Sequence, residues 1–212
     1  MVFPTSDHGC QHRRELNLAG FLARSAVNGP GIRAVVWVQG CPLRCKGCFN
    51  QAFQPFSPAN VVSADEIAGR ILATQGIDGV TFSGGEPFFQ ADALAVVGEQ
   101  VREQGYTVVT YTGYRYEHLL TAGDPGWDRL LGATDLLIDG PYIEALAGDD
   151  PHTGSSNQRL ISLSGRIPRD TPGNQDHCRM IEFSIAPDGM TTVTGFPGQD
   201  LVRQVSTGSR GG

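Results

Sequence analysis

Three cysteines, Cys41, Cys45 and Cys48, fall within the eight residues "CPLRCKGC". Thiolates are soft ligands, suited to iron–sulfur clusters or to zinc. The C-x3-C-x2-C spacing lets one loop wrap three corners of a cubic cluster. A structural zinc site wants a fourth Cys or His on a second knuckle. His177 and Cys178 offer one, but about 130 residues downstream, outside compact zinc-finger spacing. Inert buried cysteines are usually scattered rather than gathered beside Gly and Arg. The segment therefore reads as a metal site one ligand short, and the occupant of the fourth position decides its chemistry.

The neighbouring sequence must position that loop. "NGPGIR" (28–33) is a turn by composition, and "AVVWVQ" (34–39) reads as a short buried strand leading into the cysteines. A helix is expected over 63–75, with Ser63 as N-cap and Glu66 completing a capping box. A strand over 79–82 ends in "SGGEP", and a helix over 90–105 stops at a glycine. Strands follow at 106–112 and 134–140, with helical segments near 116–120 and 127–131 between them. Alternating strands and helices predict βαβ units and a mainly parallel sheet, hence an α/β fold. In such folds the site forms beyond the carboxyl ends of the strands. The cysteine loop, "SGGEP", "YTGY" and "DGPY" each follow an expected strand, so they should meet on one rim.

The 212 residues suit one domain with additions: an N-terminal segment 1–27, a core 28–160 and a C-terminal extension 161–212. The extension is polar and turn-rich, but "MIEFSIAPDGMTTVTGF" (180–196) reads as a β-hairpin around "PDG". That hairpin suits an added edge strand, a partner-docking element or a peptide-binding element. The formal charge of −6, with no long basic run, argues against nucleic acid as a partner. No stretch approaches a membrane span, and no secretory leader is evident, so the cytoplasm is the expected compartment. The five cysteines do not read as a secreted disulfide framework. His8, His12, His118, His152 and His177 show no metal-ligand spacing.

"CPLRCKGC" matches the signature of the radical S-adenosylmethionine (SAM) enzymes, and "SGGEP" resembles their glycine-rich SAM loop. "NGPGIR", "WVQGCPLRCKGCFN", "TFSGGEPF", "YTGYRYEHL", "LLIDGPY" and "GSSNQR" together resemble the activating protein of anaerobic ribonucleotide reductase and, more broadly, the glycyl-radical-enzyme activases, over about residues 28–160. The fold this implies is a partial (βα) barrel. The resemblance also implies that Cys41, Cys45 and Cys48 hold a [4Fe–4S] cluster whose fourth iron stays open for SAM. One electron would cleave the sulfonium to methionine and a 5′-deoxyadenosyl radical, which abstracts hydrogen from a glycine of a partner glycyl-radical enzyme. A low-potential donor such as flavodoxin or ferredoxin would supply the electron. Gly47, Cys48 and Phe49 would line the SAM pocket, and Gly84, Gly85 and Glu86 would hold its methionine end. Asp139 and Asn157 would meet the same site. In the larger formate-lyase activases a similarly placed aspartate helps bind a monovalent cation; the other acidic partner is replaced here by Tyr111-Thr112-Gly113. Arg33 suits either the site or backbone hydrogen bonds. Two other readings remain: a radical SAM maturase of a ribosomally made precursor peptide, and a non-enzymatic iron–sulfur carrier or sensor, which would need no SAM loop.

Overall fold

A computed structural model describes residues 14–148, 150–167, 180–185 and 191–196. The first long element is β1 (Glu15–Ser25), followed by β2 (Arg33–Val38), β3 (Asn60–Ser63), α1 (Ala64–Leu72) and β4 (Gly79–Gly84). Then come α2 (Ala91–Glu103), β5 (Thr107–Tyr111), α3 (Tyr116–Thr121), α4 (Pro125–Ala133), β6 (Leu136–Asp139) and β7 (Arg159–Ser162). A separate hairpin pairs β8 (Ile181–Ile185) with β9 (Thr191–Gly195).

One sheet of seven strands runs in the order β3-β1-β2-β4-β5-β6-β7. The central pairs β2–β4, β4–β5 and β5–β6 are parallel; β1 and β7 run against them. The sheet is open, with β3 and β7 at its edges. The α/β class, the mainly parallel sheet and the separate hairpin are as expected.

Alternation along each strand sorts the side chains into two layers. Val36, Val38, Val80, Phe82, Val108 and Leu137 pack on Ile67 and Ile71 of α1, Leu94 and Val97 of α2, Leu119 of α3 and Leu130 of α4. The other face carries a smaller cluster, Val109, Leu136, Ile138 and Ile167, with Tyr111 against it. Ser63 caps α1, its hydroxyl accepting from the Glu66 N–H at 3.1 Å. Asp124 caps α4 in the same way through the N–H groups of Gly126 and Trp127.

Three strands escape the sequence pattern. β1 begins with alternating buried leucines, Leu16 and Leu18, but its pairing with β2 shifts register between Leu18 and Gly20 and again between Leu22 and Ser25. Each shift breaks the two-residue period that marks a strand. β3 and β7 are edge strands of four residues, mostly exposed, so burial leaves little pattern in them. As a result β1, inside the segment set apart as 1–27, belongs to the main sheet, and the boundary expected at 160 falls inside β7. No helix among the described residues is long and apolar enough to cross a membrane.

Candidate active site

β2 is buried at every residue and ends at Val38. Beyond it the chain turns at Gly40, whose φ is +101°. The loop that follows is clasped at its base: Gly40 N–H donates to the Phe53 carbonyl at 2.8 Å and Cys41 N–H to that of Gln54 at 3.0 Å. The buried Gln39 side chain adds a bond to the Pro55 carbonyl at 2.7 Å. Inside the clasp, Arg44 (φ +48°) and Gly47 (φ +72°) take left-handed conformations, bending the chain between successive cysteines. Cys41 is buried, Cys45 and Cys48 half-buried, and none is in a disulfide. Burial pushes all three thiols up from their ordinary value. A bound iron would supply the positive charge that makes them thiolates.

The glycine loop meets this one backbone to backbone. Gly85 N–H donates to the Val38 carbonyl at 2.7 Å and Glu86 N–H to the Gly40 carbonyl at 2.9 Å. A Cβ on Gly84 would lie 2.5 Å from the Val38 nitrogen, and one on Gly85 would overlap the Gly40 carbonyl oxygen. The two glycines therefore seat the β4 loop against the root of the cysteine loop. Glu86 is almost fully buried. Its carboxylate accepts from Phe88 N–H at 3.0 Å, Thr112 Oγ1 at 2.8 Å and Gly113 N–H at 2.9 Å. Burial raises its pKa to about 7, while those three donors oppose the rise.

Cys41, Cys45, Cys48, Phe49, Gly84, Gly85 and Glu86 all line one cleft. Gly140, Tyr142 and Gln158 complete it from the β6–β7 connection. Sequence reasoning marked "DGPY" as a rim loop but did not single out Tyr142, whose ring lies 5.1 Å from that of Phe49. It also passed over Gln158, whose amide donates to the Gly140 carbonyl at 2.9 Å and whose oxygen accepts from Gly154 N–H at 2.8 Å. The signal available was its place in "GSSNQR".

Other expected residues lie apart from that lining. Gly47 faces Glu144, whose carboxyl carbon a Cβ there would meet at 2.8 Å. Asp139 is fully buried, and its carboxylate accepts from Tyr116 N–H at 2.7 Å and from Arg159 Nε at 2.9 Å, with a second, ionic contact to Arg159 Nη2. Asn157 donates to the Pro141 carbonyl at 2.8 Å, and its Oδ1 is buried without a hydrogen-bond partner among the described residues. Arg33 sits at the amino end of β2 and spends its guanidinium on the carbonyls of Pro30, Val80 and Thr107, which settles it as a backbone tie; burial lowers its pKa to about 10. His177 and Cys178 lie outside the described residues.

The donor set suits a cubic cluster. Among the described residues no three of His, Cys, Asp and Glu are placed to grip a single metal ion. A cubic cluster asks for something different, since each thiolate binds its own iron. Three thiols lining one cleft beside a glycine-built floor match that demand.

Residues 27–161 match the family described as "4Fe-4S single cluster domain". The pyruvate formate-lyase-activating enzyme of Clostridium pasteurianum is 34% identical over 53% of this chain and 46% of its own length. The anaerobic ribonucleoside-triphosphate reductase-activating protein of Enterobacteria phage T4 is 30% identical over 64% of this chain and 87% of its own. The chain thus spans under half of the first relative and most of the second. A solved structure, QueE from Escherichia coli, is 16% identical, with a TM-score of 0.35 over 51% of this chain and 58% of that one.

Proposed function

The chain belongs to the 4Fe-4S single cluster domain family, among the radical SAM activases, and from that premise we propose that it is a SAM-dependent activase of a glycyl-radical enzyme such as anaerobic ribonucleotide reductase. The observation that carries the reading is the single cleft shared by the three cysteines and the Gly84-Gly85-Glu86 loop. Cys41, Cys45 and Cys48 would hold a [4Fe–4S] cluster, with the fourth iron left for SAM. When bound, the cluster would supply one low-potential electron for reductive cleavage of the SAM sulfonium, the chemistry needed to abstract hydrogen from a substrate glycine.

The chain's own residues set up that event. The clasped loop fixes the three thiols relative to one another, and Gly84 and Gly85 hold the second loop against it. Glu86 offers a buried carboxylate beside the cysteines, and a ligand ammonium would favour its ionised form. Phe49 and Tyr142 form an apolar wall suited to covering an adenosyl group and excluding water.

Anaerobically reconstituted protein with a low-potential reductant should convert SAM to 5′-deoxyadenosine and methionine. With the partner reductase it should generate a glycyl-radical doublet in electron paramagnetic resonance. Cys45→Ala should lose both. Turnover retained in that variant overturns the cluster assignment. SAM cleavage with no glycyl doublet, and a short precursor peptide modified instead, moves the reading to a peptide maturase.

A further inference from the structure

Beside the cysteine cleft lies a second cavity, walled by β1, β2 and the C-terminal hairpin. The two share Phe49, Asn50, Ser83, Tyr111 and Phe196, so they meet along one boundary. The hairpin lies outside the matched family segment, which ends at residue 161. It is nonetheless fixed to the core by part-buried polar bonds. Ser25 Oγ donates to Glu182 Oε2 at 2.6 Å, and the Asn28 side-chain amide donates to Thr194 Oγ1 at 2.9 Å. Asn28 is held in turn by its carbonyl, which accepts from Thr81 Oγ1 at 2.6 Å.

Of the hairpin's described residues, Val193, Thr194 and Gly195 at the carboxyl end of β9 and the next residue, Phe196, line the cavity, and β8 contributes nothing. Among the described residues β9 pairs only with β8, so its other edge has no strand partner. The facing wall is a face of the main sheet, where Gly20, Trp37, Ser83 and Tyr111 line the cavity. An unpaired strand edge beside such a cavity is what an extended chain recognises. Tyr111, at the boundary, adds a buried hydroxyl with no hydrogen-bond partner among the described residues.

We propose that β9 is a docking strand: its free edge takes up an extended segment of the polypeptide substrate, laid across the cavity between β9 and β1. The occupant's class rests on the activase reading, which makes the substrate a polypeptide. Backbone hydrogen bonds to β9 hold the segment irrespective of its side chains. Selection comes at the boundary, where the Phe196 ring lies 6.0 Å from that of Phe49 and 6.2 Å from that of Tyr111. This collar of rings admits a residue without a side chain to the cleft and turns larger ones away, which makes Phe196 a specificity residue.

The probe is a synthetic peptide, blocked at both ends, carrying the radical-glycine segment of the partner reductase; the whole reductase is the second probe. Both are presented to the reconstituted holoprotein. Hydrogen exchange at the amides of 191–196 should slow when either probe binds. N-methylation of alternate peptide residues should weaken binding about tenfold each, and methylation of the intervening residues far less, because only one set of N–H groups faces β9. Phe196→Ala should let a Gly→Ala peptide bind as well as the parent while leaving the hairpin's hydrogen exchange unchanged. Binding that leaves 191–196 unprotected, or methylation effects without alternation, overturns the docking strand. So does protection, before any probe is added, of the β9 amides that point away from β8, which would mean that the chain's own residues already cover the edge. A glycyl radical formed without protection of β9 sinks this inference and leaves the activase reading standing. Protection by a precursor peptide, with no radical on the reductase, does the reverse.

Discussion

The Thr112 hydroxyl donates to Glu86 Oε1 at 2.8 Å, and both side chains are buried. Through that bond and the one from Gly113 N–H, the loop after β5 is tied to the loop after β4. The backbone of Glu86 ties the latter to Gly40, at the root of the cysteine loop. Three rim loops thus depend on one residue. Thr112→Val keeps the shape and removes the donor. A hydrogen bond to a charged group contributes about 1.5–3 kcal/mol, so above pH 7, where Glu86 is ionised, the variant should lose roughly that much stability in denaturant titration. Its SAM affinity should fall as well, because the loops are no longer held in register.

Glu86 also sets a pH dependence. Below the ordinary carboxylate value, near 4.5, it is protonated in the folded and the unfolded chain alike. Between that value and about 7 the folded chain keeps a proton that the unfolded chain has lost. Stability of the ligand-free protein should therefore fall as pH rises through this window, by on the order of 3 kcal/mol in total. The comparison that isolates the effect is the slope of melting temperature against pH in wild type and in Glu86→Gln. The variant should be flatter between pH 5 and 8, whatever its absolute stability. Equal slopes would show that Glu86 is ionised throughout.

How far the sequence foretold these contacts depended on whether the contact was local. The cysteine loop and "SGGEP" were legible because their chemistry lies in residue types at close spacing. β2, β4, β5 and β6 were legible because burial on both faces forces apolar, β-branched runs. β1 was hidden by its register shifts, and β7 by exposure. Glu86 was expected to serve a ligand ammonium. Its bonds to Thr112 and Gly113 join positions 26 and 27 residues apart, and no local pattern announces such a pair. Asp139 was placed correctly at a strand end, but its partner Arg159 comes from a strand that local sequence did not reveal.

Gly85 gives a sharper test of packing than of ligand approach. Its missing Cβ makes room for the Gly40 carbonyl, so Gly85→Ala must push the two loops apart. Overpacking of this kind costs about 1–3 kcal/mol. The bonds from Gly85 N–H to Val38 and from Glu86 N–H to Gly40 should both weaken. SAM affinity, measured by equilibrium dialysis under anaerobic conditions, should drop at least tenfold. Iron content should stay near wild type, because the clasp from Gly40 to Phe53 and from Cys41 to Gln54 is untouched. Loss of iron equal to the loss of SAM would show that the two loops cannot be separated.

Asp139 leads to the last prediction. The resemblance to the larger formate-lyase activases would make Asp139 a ligand of a monovalent cation. Arg159, however, contacts both of its carboxylate oxygens, and Tyr116 N–H adds a third donor. Arg159 also reaches Glu117 at 2.9 Å, so the guanidinium is held from two sides. A bound cation would have to displace it. Replacing potassium by a bulky organic cation at constant ionic strength should therefore leave SAM affinity and turnover unchanged. Arg159→Ala should melt well below wild type, since it strands a buried carboxylate. Asp139→Leu combined with Arg159→Leu should recover part of that loss, because it removes the charge instead of orphaning it. A wild-type protein that binds SAM only when potassium is present would overturn the substitution of cation by guanidinium.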